Sequence, residues 1–301
     1  MGPLWGIDLG GTKIEGVVLM DRETPDVLKR LRIPTEAHMG YEHIIEQISR
    51  LVEVLTAETG IKPDIIGIGT PGTLDPATRL MKNCNTTCLN DRPLKRDLEL
   101  ALGIPIRLAN DANCFAVAET NLGVVQDEMP HAEVVFGVIM GTGVGGGLVV
   151  NGKVIHGRHG IAGEWGHNYL DVSPSDCYCG KNGCVESIIS GPSLEAYYEE
   201  LMGKHLSLPE IIHAHRQGGD VVANKTIARL IHYFGKSMAN VINIVDPDAI
   251  VLGGGLSNID LLYEEGRKEV EKYVFNNEKL ETRFLRPKLG DSAGVFGAAL
   301  L

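Results

Sequence analysis

Three cysteines stand within eight residues, at Cys177, Cys179 and Cys184, and His167 lies ten residues before the first. Thiolates and an imidazole at this spacing admit three chemistries. A Cys177–Cys179 disulfide would close a very tight ring. An iron–sulfur cluster usually takes four cysteines, and Cys84, Cys88 and Cys114 lie far upstream. Zinc accepts three thiolates and one imidazole in a tetrahedron, and Gly180 and Gly183 supply the turns of such a knuckle. The residues therefore leave two readings: a zinc site on His167, Cys177, Cys179 and Cys184, or thiols that are reactive or simply buried. Such a zinc would be structural, because four protein ligands leave no position open to a substrate. Its effect would be to fix the loop running from Glu164 to Glu186.

Glycine-rich turns form a second group. Asp8-Leu-Gly-Gly-Thr-Lys13 offers backbone N–H groups from Gly10 and Gly11, the Thr12 hydroxyl, the Lys13 ammonium, and the Asp8 carboxylate for magnesium, directly or through water. Gly141-Thr142-Gly143 repeats the pattern, and Gly253-Gly254-Gly255 follows a later apolar run. Each turn alone is also what an ordinary hairpin with glycine at positive φ requires. Together the three favour a nucleotide. Two matches to G-x-G-x-x-G, Gly67–Gly72 and Gly141–Gly146, are poor dinucleotide sites: Pro71 spoils the first and the second runs into a strand. Asn110-Asp111 falls between an apolar strand and a helix, so Asp111 is either a general base or a helix cap.

These residues need elements to hold them. Strands are expected at Leu4–Asp8, Ile14–Leu19, Ile65–Gly69, Ile106–Leu108, Val134–Met140, Leu148–Val150 and Ala249–Leu252. Apolar residues at Ile44, Ile45, Ile48, Leu51, Val52 and Leu55 predict a helix over Tyr41–Glu58. Further helices are expected at Pro93–Leu102, Asn113–Leu122, Pro192–Leu201, Leu208–His215 and Val222–Val245, and in the small-residue tail Gly294–Leu301. The alternation makes the fold α/β. The two strand–glycine–strand units, near residues 10 and 143, fit two related lobes.

Bulk properties narrow the class. A chain of 301 residues exceeds the usual single domain. The net charge of −11 argues against a binder of nucleic-acid backbones or anionic membranes. No run of about 18 apolar residues would span a bilayer. The N-terminal residues do not form a signal peptide, and six cysteines without secretory features favour a reducing compartment, so a cytoplasmic protein is expected. The remaining histidines are read as surface or cap residues, and Cys84, Cys88 and Cys114 as unliganded thiols.

Asp8-Leu-Gly-Gly-Thr12 is similar to the first phosphate loop of the actin-like ATPase and sugar-kinase superfamily. The segments AGEWGH, CYCGKNGCVE, LANDANCFA, GTGVGGG, IVDPDAIVLGGGLSN and GDSAGVFGAAL resemble the ROK family of repressors, open reading frames and kinases, along nearly the whole chain. Within it, KNCNTTCLNDRPL and CYCGKNGC look closest to bacterial fructokinases of the manno-fructokinase type, with N-acetylglucosamine kinases next. The resemblance implies a two-lobed actin-like ATPase (ribonuclease H-like) fold with an interdomain cleft. Residues 1–117, completed by helix 291–301, would form the small lobe, and 118–290 the large lobe with the zinc loop.

It also implies an ATP- and magnesium-dependent hexokinase with structural zinc, acting on the 6-hydroxyl of a hexose, with D-fructose expected first. Glucokinase, mannokinase and N-acetylglucosamine kinase are the alternatives. Asp111 would be the base and Asn110 would hold a neighbouring hydroxyl. Glu164, His167 and Glu186 would contact the sugar, with Gly72 and Asn85 on its other side. Gly10–Lys13 and Gly141–Gly143 would hold phosphates, and Gly253–Gly255 the adenosine side. A homodimer is expected. Sugar-responsive repressors of the family carry a DNA-binding segment before the Asp-x-Gly-Gly-Thr motif; only seven residues precede Asp8 here.

Overall fold

The computed structural model describes residues 2–22, 25–173, 175–276 and 280–301. In chain order the first elements are β1 (Leu4–Leu9), β2 (Lys13–Leu19), β3 (Val27–Pro34), α1 (Tyr41–Thr59), β4 (Ile66–Thr70), β5 (Thr73–Leu74) and β6 (Met81–Lys82). Then come α2 (Leu94–Leu102), β7 (Ile106–Asn110), α3 (Asp111–Asn121), α4 (Val124–Glu128), β8 (Val134–Met140), β9 (Val144–Val150) and β10 (Lys153–Val154). The last are α5 (Glu186–Ile189), α6 (Gly191–Met202), α7 (Leu208–Gln217), α8 (Val221–Val245), β11 (Ala249–Gly253), α9 (Arg267–Glu271), β12 (Arg283–Leu285) and α10 (Ala293–Ala299). The chain divides into two compact units. One holds residues 1–131, 147–162 and 288–301; the other holds 132–146 and 163–287. This division assigns 118–131 and 147–162 to the N-terminal unit, whereas the sequence reading drew its lobe boundary at 117/118.

In the first unit a sheet runs in the order β3-β2-β1-β4-β7, antiparallel through β1, β2 and β3 and parallel from β1 through β4 to β7. Period-two alternation gives β1 and β2 two buried faces. Ile7 and Ile14 join Ile44, Ile48, Leu51 and Leu55 of α1 in one core, and each buried Ile or Leu contributes roughly 1.5–3 kcal/mol. On the other face, Val17 and Leu19 pack with Val295 and Ala299 of α10. There the sheet meets helix backbone: a Cβ on Gly67 would lie 1.8 Å from the Ala298 oxygen, and one on Gly6 would lie 2.3 Å from that of Val295. Gly297 has the same relation to α3, with the Cys114 oxygen 1.8 Å from a notional Cβ. The small residues of the C-terminal motif thus let α10 touch β1, β4 and α3.

In the second unit β8, β11 and β12 are parallel neighbours, and β9 leaves the glycine turn after β8. The 25-residue α8 is capped by Asp220, whose Oδ1 accepts from the N–H groups of Val222 and Ala223. Among the described residues, no helix is long and apolar enough to cross a membrane.

The α/β class agrees with the sequence reading; several short elements, among them β5, β6, β10, β12, α4, α5 and α9, were not expected, and three further differences bear on the site. Strand β3 was not expected, because its charged residues hide the pattern; Arg30 and Arg32 point to the buried Glu15 of β2, with Arg32 Nε 2.9 Å from Oε2. Helix α3 begins at Asp111 rather than near Asn113. Strand β9 begins at Val144 rather than Leu148, so the second glycine turn is only Gly141–Gly143.

Candidate functional site

The candidate residues of the first unit gather at the ends of β1, β4 and β7. Asp8 lies in β1, opposite Glu15 of β2. The turn that follows is closed by the Gly10 N–H donating to the Lys13 carbonyl at 3.0 Å. Thr35, at the end of β3, fastens it further: its Oγ1 donates to the Gly10 carbonyl at 2.6 Å and its N–H to the Thr12 carbonyl at 3.0 Å. Neither Gly10 nor Gly11 has a positive φ. Their value is bare backbone at an exposed tip, where Gly11 meets only the Thr86 hydroxyl at 3.4 Å. Nothing in the sequence singled out Thr35 or Thr86.

Burial pushes the Asp8 carboxyl up to about 6, helped by the negative charges of Asp111 and Glu15. Its oxygens stand against Gly69 and Gly294; a Cβ on Gly294 would lie 2.8 Å from Oδ2. Asp111 opens α3, and its Oδ1 accepts the Ala112 N–H at 2.8 Å. The helix cap is Asn110 instead, whose Oδ1 accepts the Asn113 N–H at 2.8 Å. That settles the cap alternative raised for Asp111, and it commits one Asn110 oxygen expected to face a ligand. Asp111 keeps solvent-accessible area although protein atoms crowd round it; that crowding raises its carboxyl, and water screens the effect.

Gly72 is buried, and a Cβ there would strike Cys84 Sγ at 2.4 Å. Close packing therefore explains this glycine. Asn85 is exposed, with its N–H 3.4 Å from the Pro71 carbonyl.

The second unit carries the other group. The Gly141 N–H donates to the Gly143 carbonyl at 2.9 Å, and the Gly141 carbonyl accepts from Gly191 at the start of α6. Thr142 is exposed at the tip. After β11, Gly254 has φ 76°, and a Cβ there would lie 2.3 Å from the Met140 oxygen; Gly255 has open space. Only Gly254 of the proposed nucleotide glycines needs the left-handed region.

His167, Cys177, Cys179 and Cys184 converge, their four donor atoms all within 4.8 Å of one another. His167 Nδ1 lies 3.5 Å from Cys177 Sγ, and Cys179 Sγ 3.6 Å from Cys184 Sγ. Gly180 and Gly183 take positive φ, as the turns of the knuckle demand. Three sulfurs and one imidazole nitrogen at this spacing fit a zinc ion. His167 Nε2 is 3.0 Å from the Tyr178 hydroxyl, so the ring nitrogen expected to face a sugar has a protein partner here.

Glu186 opens α5, and its Oε2 accepts the Val144 N–H at 2.8 Å, while Oε1 is 3.9 Å from Cys177 Sγ. This carboxylate therefore joins the cysteine knuckle to the second glycine turn, a link the spacing did not reveal. Gly143 completes it: a Cβ there would lie 2.7 Å from Glu186 Oε2. Glu164 is half-buried just before Trp165, whose Nε1 donates to the Gly145 carbonyl at 2.7 Å.

The donors in these two groups are bare glycine backbone N–H groups, carboxylates and a convergent set of three thiols and one imidazole, types suited to phosphate, proton transfer and a metal ion. Comparison with known proteins supplies the family. The model of the ROK family matches residues 4–301. The chain is 38% identical over 308 residues to the N-acetyl-D-glucosamine kinase of Pasteurella multocida, covering 99% of this chain and 98% of that protein. It is 36% identical over 307 residues to the N-acetyl-D-glucosamine kinase of Vibrio cholerae, with the same coverage. Among solved structures, the ROK hexokinase from Thermus thermophilus superposes with a TM-score of 0.86 at 32% identity, covering 99% of this chain and 97% of that one. A ROK family glucokinase from Streptomyces griseus, in complex with glucose and AMPPNP, gives a TM-score of 0.77 at 28% identity, covering 99% and 98%. The chain belongs to the ROK family and is a sugar kinase with the actin-like ATPase fold.

Proposed function

We propose that this kinase transfers the γ-phosphoryl group of ATP to the 6-hydroxyl of N-acetyl-D-glucosamine. The observation that carries the substrate is full-length similarity, at 36–38% identity, to N-acetyl-D-glucosamine kinases. The motif resemblance favours D-fructose, whereas these full-length relatives are N-acetyl-D-glucosamine kinases, and similarity over the whole chain outweighs that of short motifs. The Thermus hexokinase favours a second reading, a kinase with broader hexose use.

In this reading Asp111 removes the proton of the attacking hydroxyl. Its Oδ1 is fixed by the Ala112 N–H, which leaves the other oxygen to receive the proton, and its raised pKa strengthens it as a base. Gly10–Lys13 and Gly141–Gly143 hold phosphate oxygens through backbone N–H groups and the Thr12 and Thr142 hydroxyls. Gly253–Gly255 take the adenosine side. Asp8 would hold magnesium, which supplies positive charge against the phosphates. Asn85, Asn110, Glu164, His167 and Glu186 are the proposed sugar contacts, carboxylates and amides being suited to vicinal hydroxyls. His167, Cys177, Cys179 and Cys184 would hold zinc, which fixes the Glu164–Glu186 loop and takes no part in the transfer.

The test is a coupled ADP-release assay across N-acetylglucosamine, N-acetylmannosamine, glucose, mannose and fructose. The highest kcat/KM is expected with N-acetylglucosamine; a higher value with fructose or glucose would overturn the assignment. Asp111→Asn should lower kcat about 10²–10⁴-fold while sugar binding persists.

A further inference from the structure

The first unit contains a cavity of about 610 Å³ that none of the residues assigned above lines. Its wall includes Arg22, Arg79, Lys95, Arg107 and Lys153 and no aspartate or glutamate. In a chain of net charge −11, with 39 acidic against 28 basic residues, a lining with five basic side chains and no acidic side chain is a marked local excess. Three of these cations have partners. Arg22 Nη2 donates to the Leu300 carbonyl at 2.9 Å, Arg107 Nη1 to a Leu301 oxygen at 2.6 Å, and Lys95 Nζ is 3.6 Å from Glu99. Among the described residues, the side chains of Arg79 and Lys153 have none.

Arg79 is also held in an unfavourable backbone conformation. Its φ is 62°, in the left-handed region that costs a non-glycine residue roughly 1 kcal/mol. The turn between β5 and β6 imposes it: the N–H groups of Ala77 and Thr78 donate to Asp75 Oδ1 at 2.8 and 2.9 Å, and that of Arg79 to the Asp75 carbonyl at 2.9 Å. Asp75 does not neutralise Arg79. Its Oδ2 accepts from Lys82 Nζ at 2.8 Å, and that bond, with the two N–H groups, holds the carboxyl well below the usual carboxylate range. The turn thus fixes the backbone of Arg79 and presents at the cavity a guanidinium with no partner among the described residues.

Between the cations the wall carries the apolar side chains of Leu74, Leu108, Val117 and Val154, with Thr73 and His156 beside them. The volume lies within the range of about 300–1,000 Å³ typical of small-molecule sites and far exceeds a lone phosphate group. Guanidinium and ammonium groups around a concave wall focus positive potential, and Arg binds phosphate oxygens in pairs.

We propose that this cavity is a binding site for a small organic phosphate, its phosphoryl group held by Arg79 and Lys153 and its organic body against the apolar wall. The site shares elements with the proposed chemistry: Arg107 and Leu108 belong to β7, which leads into Asp111, and Val117 to α3, which Asp111 opens. It is separate from the residues assigned to ATP and sugar, so it stands whichever hexose is the substrate.

Isothermal titration of the whole protein with glucose 6-phosphate and, separately, inorganic phosphate tests this, using wild type and the double variant Arg79→Ala/Lys153→Ala. Both side chains are exposed, and thermal melting without ligand checks that the variant folds. Wild type should bind glucose 6-phosphate with a Kd below about 1 mM, and the double variant at least about tenfold more weakly. Both titrations contain saturating N-acetylglucosamine and AMPPNP, so that the proposed kinase site is occupied and the difference between wild type and variant reports on the cavity. Absence of binding to wild type up to about 10 mM, or equal affinity in the variant, overturns the site. Equal affinity for inorganic phosphate overturns the role of the organic body.

Discussion

Asp8→Asn should make the metal-free protein more stable at neutral pH while removing its kinase activity. Asp8 has its carboxyl raised from 3.8 to about 6, mainly by burial, so the fold favours its protonated form. The stabilisation from that preference is complete below pH 3.8 and is lost as pH rises through about 6. Above pH 6 the native state carries the whole cost of an ionised Asp8. At about 1.4 kcal/mol per unit, a rise of two units amounts to at most about 3 kcal/mol, and solvent access lowers this to about 1–3. Asparagine keeps the shape between Gly69 and Gly294 without the charge. Urea unfolding in chelator, at pH 8 and pH 4, measures the effect. The variant should be more stable by about 1–3 kcal/mol at pH 8, and the difference should shrink towards zero at pH 4. An Asp8→Asn protein less stable than wild type at pH 8 would refute the reasoning.

Cys179→Ser should reduce bound zinc, measured by elemental analysis, from about one ion per chain to little or none, since it removes one of four converging donors. Glu186→Ala leaves the buried Val144 N–H without its acceptor, at a cost of about 1–3 kcal/mol. Amide exchange at Val144 should accelerate about tenfold or more, and unchanged protection would contradict the link between knuckle and glycine turn. Gly67→Ala places a methyl within 1.8 Å of the Ala298 oxygen and should destabilise by about 3 kcal/mol or more, read as a lower urea midpoint.

Much of the candidate site was legible because its residues are close in sequence. The four converging Cys and His donors lie within eighteen residues, and the Asp8–Lys13 hairpin needs only two adjoining strands, so spacing and turn residues suffice to expose both. The class of the fold followed from the same short-range periodicities. The expectation of fructose is not supported by the relatives, which are N-acetyl-D-glucosamine kinases; motif resemblance reports the machinery a family shares, and that machinery does not by itself specify the sugar.

What the sequence by itself determined, then, was the family, the α/β class, the glycine turns and the cysteine knuckle, all set by residues near one another in the chain. What only the tertiary structure decided depends on residues distant in sequence. Thr35 fastens the first glycine turn across 25 residues, and Glu186 reaches Val144 across 42. Arg79 and Lys153 line one cavity although they belong to separate stretches of the first unit's sequence. Burial raises Asp8 only once β1 packs beside α10, a contact that brings the last residues of the chain to the first strand. Such encounters are fixed by packing, which no local pattern encodes.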